Sequence, residues 1–179
     1  MTIRVDDDLL LRSITEEDAD VIYRSLDENR EIMRRWLPFV DELHSSDDEL
    51  VFIHSVLAQP EEVRCHSFVI LDCGTFCGLI GFVNADFNNK KTEIGYWLVP
   101  DAWHKGIMTK AVKCLTGWAF DKWGMNRVQI KCAVKNVESN SVACRCEYVL
   151  EGTERAGELL SDGFADLNVY SMLAEEFRQ

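Results

Sequence analysis

The chain is short of positive charge, of proline and of long apolar runs. Of its 179 residues, 19 are Lys or Arg against 31 Asp or Glu, a formal net charge of -12. That balance repels phosphate and excludes a nucleic-acid-binding domain. No window approaches the roughly 18 consecutive apolar residues that cross a bilayer as a helix, so no membrane partner is expected. Residues Met1–Asp8 lack the basic and apolar regions of a secretion signal, and a cytoplasmic protein is the expectation. Three prolines and ten glycines, with no repeat or low-complexity tract, leave no linker. Residues 1–179 therefore read as one domain, and 47% hydrophobic residues suffice for its own core. Neither a Walker loop nor Gly-x-Gly-x-x-Gly occurs. The seven cysteines are odd in number and hold no Cys-x-x-Cys pair, and the four histidines are scattered. A disulfide framework is excluded, and no metal is expected.

What charge there is lies unevenly. Residues 1–62 hold 17 acidic and 6 basic side chains, while residues 63–179 hold 14 and 13. The second part brings Lys105, Lys110, Lys113, Lys122, Arg127, Lys131 and Lys135 close together in sequence. Such an asymmetry suits a chain that meets an anionic ligand with one part and a cationic group with the other.

The hydrophobic pattern predicts a mixed α+β domain. Strands are expected over 9–14, 68–71, 79–83, 92–99, 128–134, 148–151 and 165–173. Thr15-x-x-Asp18 has the form of a capping box opening a helix. A short helix is expected over 29–37, stopped near Pro38. Another starts at Ser46-x-x-Glu49, with Leu50, Ile53, His54 and Leu57 on one face. The strongest pattern follows Gly106: Ile107, Met108, Ala111, Val112, Leu115, Trp118 and Ala119 keep a helical period over three turns. A further helix is expected over 139–146.

Two junctions carry candidate chemistry. In Pro100–Ala111 a glycine stands between a strand and the best helix, and the first turn's free N–H groups suit a pyrophosphate. Most such junctions are only turns. At Asn136-x-x-Ser139, Asn136 has the donors and acceptor to clamp an extended, amide-rich ligand, while Ser139 also reads as a plain helix N-cap.

Taken in order, Glu93-Ile94-Gly95-Tyr96-Trp97-Leu98, Lys105-Gly106-Ile107-Met108-Thr109, Asn126-Arg127-Val128, Asn136-x-x-Ser139-x-x-Val142 and Leu150-Glu151-Gly152 resemble the GNAT superfamily of N-acetyltransferases. Within it the resemblance is to the RimJ/RimL type, which acetylates N-terminal amines of ribosomal proteins, and the closing stretch, Glu158-Leu159-Leu160 with Asp162-Gly163-x-x-Asp166-Leu167-Asn168-Val169-Tyr170, is similar to the ribosomal stalk-protein serine acetyltransferase branch. The resemblance covers Leu9 to Leu173. It implies a mostly antiparallel central sheet, flanked by helices and splayed open between strands 93–99 and 128–134 for acetyl-CoA. It further implies that pantetheine pairs with backbone at Leu98 and Val99 and meets Asn136. The pyrophosphate would sit on the N–H groups of His104, Lys105, Gly106, Ile107, Met108 and Thr109. The pattern departs from the family at Trp103, where Gln or Arg is usual, at His104, where Gly is common, and at Met108, where a small residue is frequent. It also departs at Glu147, where the family favours a left-handed Gly, at a cost of about 1 kcal/mol.

The resemblance implies Glu158 as general base through a water and Ser139 as hydrogen-bond donor to the CoA sulfur. Glu93 is the alternative base, and Tyr170 an alternative proton donor. Trp36, Phe39, Asn84, Glu93 and Tyr96 are expected at the acceptor, aromatics with carboxylates suiting a cationic amine. The expected acceptor is a protein α-amine. Small-molecule or peptide-antibiotic amines, and a non-catalytic acyl-CoA-binding module, stand as alternatives. Related enzymes often dimerise, and a homodimer is compatible with the resemblance.

Overall fold

The computed structural model describes residues 1–59 and 66–177. Its internal contacts divide the chain into two compact units: Met1–Gly81 with Tyr96–Ile107, and Phe82–Gly95 with Met108–Gln179. Among the described residues there are eight strands, in the hydrogen-bonded order β1-β2-β3-β4-β5-β6-β8-β7, and six α-helices. All the described pairings are antiparallel except β5 with β6.

The first unit holds β1 (Thr2–Arg4), β2 (Leu9–Ser13) and β3 (Ser67–Asp72), the first part of β4 (Thr75–Asp86), and the end of β5 (Lys91–Leu98). Its helices are α1 (Ala19–Glu28), α2 (Arg30–Met33) and α3 (Ser46–Leu57). The Thr15 capping box with Asp18 is present as expected. Asp18 also takes both Arg12 Nη atoms, at 3.0 and 2.5 Å, and is 5% exposed. These bonds outweigh the cost of burial and hold its carboxyl below the usual range. The core gathers Ile14, Ile22, Leu26, Val40, Ile53 and Val69, with Trp97 and Trp103 packed against it.

Three expectations shift here. The helix expected over 29–37 is regular only from Arg30 to Met33, because the chain tightens toward Pro38. The cap of α3 is Ser45, boxed with Asp48, one residue before the expected start. His54 lies exposed, paired with Glu16 at 3.1 Å, and the polar group on the buried face is Glu49. Burial, helped by Asp48, pushes the Glu49 carboxyl up to about 7.

The second unit continues β4 and opens β5. It then holds α4 (Ile107–Trp123), less Ile107, β6 (Arg127–Ala133), α5 (Val137–Arg145), β7 (Val149–Leu160), β8 (Gly163–Leu173) and α6 (Ala174–Phe177). The helical period read from 107–119 is borne out: Met108, Ala111, Val112, Leu115 and Ala119 are buried. Trp118 and Trp123 meet Phe82 with ring centroids 5.9 and 4.4 Å away. Along β6, Val128, Ile130 and Cys132 point inward, while Arg127, Gln129 and Lys131 alternate with them on the other face. The parallel β5–β6 register covers Lys91↔Arg127 to Glu93↔Gln129 and ends there among the described residues, although both strands run on. Strand β7 is much longer than the four residues expected, reaching Leu160 through two register shifts.

Candidate active site

The phosphate-binding candidate begins in the first unit. Strand β5 ends at Leu98, and Pro100–Ala102 form one 3-10 turn. The Val99 N–H donates to the Cys77 carbonyl at 2.8 Å. Trp103 turns inward, and its indole Nε1 donates to the Leu98 carbonyl at 2.9 Å. The residue marked by sequence as a departure is thus a brace on the strand end. His104 (φ 59) and Gly106 (φ 77) are both left-handed and exposed, and a Cβ at Gly106 would meet nothing within 4 Å. Alternation of hand of this kind turns successive N–H groups toward one side, the geometry of an anion-binding nest. Ile107, buried, then starts α4.

In the second unit, Met108 is buried and Thr109 half-buried. The Thr109 hydroxyl accepts from Arg145 Nε at 3.2 Å. Asn136, not Ser139, caps α5: its Oδ1 accepts from the Ser139 N–H at 3.2 Å. Ser139 is left with its hydroxyl directed to the Cys132 thiol. Burial pushes that thiol up to about 11, against the opposing effect of the Ser139 hydrogen bond. Helix α5 closes with a Schellman motif, Tyr148 N–H to the Ala143 carbonyl at 3.1 Å and Glu147 N–H to the Cys144 carbonyl at 2.9 Å. Glu147 takes the left-handed position (φ 65), as its place at the helix end led us to expect.

The polar face of the second unit assembles the carboxylates. Glu93 Oε2 accepts from Gln129 Nε2 at 2.7 Å, directly across the parallel pair. Lys131 Nζ meets Glu154 at 2.7 Å, and Arg127 forms a two-pronged pair with Glu151 at 2.5 and 2.6 Å. Glu158 stands on β7 just past a bulge, where Ala156 is left-handed (φ 49) and its N–H is held by Asp166 at 2.8 Å. Much of the residue is open to solvent, yet its carboxyl end is desolvated. That burial, and then the charge of Glu93, raise its pKa above the ordinary carboxylate value. The structure therefore brings the two sequence-predicted bases, Glu93 and Glu158, into electrostatic contact. Among the acceptor candidates Asn84 shares this unit, and its carbonyl takes the Thr92 hydroxyl at 2.6 Å. Trp36, Phe39 and Tyr96 belong to the first unit. The Arg35 guanidinium sits 4.8 Å from the Trp36 ring centroid, and Phe39 is 43% exposed.

Residues 8–149 match the family model for the acetyltransferase (GNAT) domain, most of the chain. The chain belongs to the GNAT acetyltransferase family. A Bacillus subtilis (strain 168) protein provisionally named ribosomal N-acetyltransferase YdaF is 31% identical over 98% of this chain and 97% of its own. Among solved structures, RimL, a ribosomal L7/L12 alpha-N-protein acetyltransferase in complex with coenzyme A, superposes with a TM-score of 0.92 at 25% identity, covering 98% of this chain and 99% of that one. The microcin C7 self-immunity acetyltransferase MccE, in complex with acetyl-CoA and AMP, gives 0.91 at 28% identity, covering 96% and 95%. The expected GNAT fold, with its mostly antiparallel sheet, is therefore borne out. No described helix of this GNAT chain is long and apolar enough to cross a membrane.

Sequence reasoning missed one polar centre of the second unit. Asn140, one turn after the cap of α5, bonds to two backbone carbonyls and to the side chains of Asn168 and Tyr170. The signal that could have found it is an Asn in the middle of a helix, where its competing hydrogen bonds make it unfavourable without a specific partner.

Proposed function

We propose that this GNAT chain is, as a single domain, an acetyl-CoA-dependent N-acetyltransferase acting on the N-terminal α-amine of a protein, a ribosomal protein first. The observation that carries the reading is Glu158, whose ionisation is resisted by burial and by Glu93. A carboxylate raised above its ordinary value is a stronger base than an unperturbed one, and so better matched to taking a proton from an ammonium group. The α-amine, with a reference pKa of about 8 against about 10.4 for lysine, is the acceptor that such a base deprotonates with least difficulty.

In this proposal acetyl-CoA is the cosubstrate. The N–H groups of residues 104–109 receive its pyrophosphate, with the left-handed His104 and Gly106 shaping the loop. Leu98 and Val99 meet the pantetheine by backbone, and Asn136 meets it through the amide nitrogen left over from capping. The amine reaches Glu158 beside Glu93 in the second unit; Asn84, Tyr96, Trp36 and Phe39 are its acceptor candidates on the family resemblance alone. Its proton passes through a water to Glu158, and the freed lone pair forms the C–N bond at the thioester carbonyl. The C–S bond then breaks, its electron pair stays on sulfur, and the new amide nitrogen sheds its second proton to solvent. The Ser139 hydroxyl turns from the Cys132 thiol to donate a hydrogen bond to that thiolate, which takes its proton from solvent. A thiol of pKa about 8.5 needs no stronger acid. A ribosomal acceptor places the reaction in the cytoplasm, and a homodimer belongs to the same reading, to be sized by sedimentation.

The likeness to MccE favours a second reading, in which the amine belongs to a small molecule or peptide antibiotic. Labelled acetyl-CoA offered with separated ribosomal proteins and with a panel of small amines separates the two. Label on a protein N-terminus supports the first reading, and label on small amines alone replaces it with the second. A non-catalytic acyl-CoA module would release no CoA with either. The departure at Trp103, which would argue for such a module if it marked a lost cofactor contact, is instead a brace for β5.

A further inference from the structure

Asn140 spends its whole side-chain amide on the protein. Its Nδ2 donates to the Ala133 carbonyl at 2.9 Å and to the Asn136 carbonyl at 2.7 Å. Its Oδ1 accepts from Asn168 Nδ2 at 2.7 Å and from the Tyr170 hydroxyl at 2.8 Å. The two backbone carbonyls accept only, so nitrogen must face them, and the orientation of the amide follows without choice. The oxygen is then presented to Asn168 and Tyr170, and the Tyr170 hydroxyl has to be the donor. Asn168 is fixed in turn, its Oδ1 taking the Thr153 hydroxyl at 3.1 Å. The network thus sets the direction of each proton along it.

We infer that Asn140 is a positioning residue for acetyl transfer: it holds the Ala133–Asn136 turn from which Ser139 hangs and commits the Tyr170 proton to an amide oxygen, so that the thiolate takes its hydrogen bond from Ser139 and not from Tyr170. The inference rests on the proposed role of Ser139. Its two parts divide the four bonds: Nδ2 holds the turn, and Oδ1 takes Asn168 and the Tyr170 proton. The turn is held twice at Asn136, whose carbonyl also takes the Asn140 N–H at 3.1 Å, while its Oδ1 holds the Ser139 N–H. The titratable groups facing Tyr170 are the thiols of Cys144, from α5, which also hydrogen-bonds it, and Cys132, from β6; Asn168 reaches the same hydroxyl. Burial together with these thiols raises the Tyr170 pKa, which keeps the phenol protonated and the donation to Asn140 intact.

The test compares kcat, acceptor KM and the pH–rate profile of the full chain with those of Tyr170→Phe and Asn140→Ala, using release of CoA thiol. Tyr170→Phe is expected to hold kcat within about twofold with an unmoved profile, since an uninvolved hydroxyl forfeits none of the roughly hundredfold or more that a proton donor supplies. Asn140→Ala is expected to lower kcat by about tenfold or more at unchanged acceptor KM, as misplacement of a reacting group does. A Tyr170→Phe loss of about a hundredfold, with the alkaline limb altered, makes Tyr170 the donor and overturns the inference. An Asn140→Ala enzyme with wild-type kcat also overturns it. If Asn140→Ala does not fold, the Tyr170→Phe arm decides alone. If the wild-type chain turns over no amine, the proposed function fails first and the inference falls with it, which keeps the two failures apart.

Discussion

The Glu93–Glu158 pair makes the sharpest prediction about the chemistry. Glu158 must be ionised to accept a proton, so activity falls as pH drops through its raised pKa. Replacing Glu158 by Gln removes the base and should lower kcat by about 10² to 10⁴, or roughly 2.7 to 5.5 kcal/mol of transition-state stabilisation. Replacing Glu93 by Gln is the subtler perturbation. The amide keeps an oxygen for Gln129 Nε2, so the 2.7 Å bond survives and only the charge is lost. With its like-charged neighbour gone, ionised Glu158 is less disfavoured and its pKa falls, because Glu93 is the second cause of the shift after burial. The acidic limb should therefore move to lower pH without disappearing. The assay is CoA-thiol release with saturating peptide from pH 5 to 9. The acceptor amine also titrates, near 8, and its limb should persist in both variants. A Glu158→Gln rate unchanged across pH 6–9 would refute the base assignment. An acidic limb that stays in place in Glu93→Gln would refute the electrostatic coupling.

Other predictions concern stability. Glu147→Gly should stabilise the fold by about 0.5–1 kcal/mol, since the left-handed penalty it removes exceeds the entropy glycine adds to the unfolded chain; thermal melting should rise by a few degrees, and a fall would contradict the strain. Glu49 is raised in the folded state from 4.5 to about 7, so its contribution is present at low pH and is lost as pH rises through about 7. Glu49→Gln should thus gain stability over wild type from pH 5 to 8, by up to about 3 kcal/mol, with no gain near pH 4; urea melts at the two ends read the difference. Trp103→Phe deletes the bond to the Leu98 carbonyl and should cost about 1 kcal/mol while acetyl-CoA binding survives; calorimetric loss of binding would make the indole part of the site itself.

Most of the architecture was legible because its elements carry strong periodicity or explicit caps. Helix α4 repeats its apolar positions over three turns, and Thr15 with Asp18 announces α1. What stayed hidden had no such signal. Strand β7 is exposed along almost its whole length, broken by bulges and crowded with Glu151, Glu154, Arg155 and Glu158, so no alternation of period two survives in its sequence. Glu158 could consequently be placed only by family resemblance. Glu49 was invisible because a carboxylate at the start of a helix normally faces water, and only the packed structure shows it inside. Trp103 read only as a departure from the family because sequence does not show its indole turning back to the strand end. Asn140 lay between Ser139 and Ser141, three polar residues in a row, with nothing to mark which one reaches across to β8.

The central claim is that this GNAT enzyme transfers acetyl from acetyl-CoA to a protein α-amine. The most direct measurement incubates the full chain with acetyl-CoA and a peptide bearing a free N-terminal Ser and one internal Lys, followed by CoA-thiol release and mass mapping of the acetyl group. The account predicts one acetyl on the α-amine for each CoA released, none on the Lys, and no release when the N-terminus is blocked. Equal release from the blocked peptide, or tight acetyl-CoA binding with no release from any amine, would contradict it.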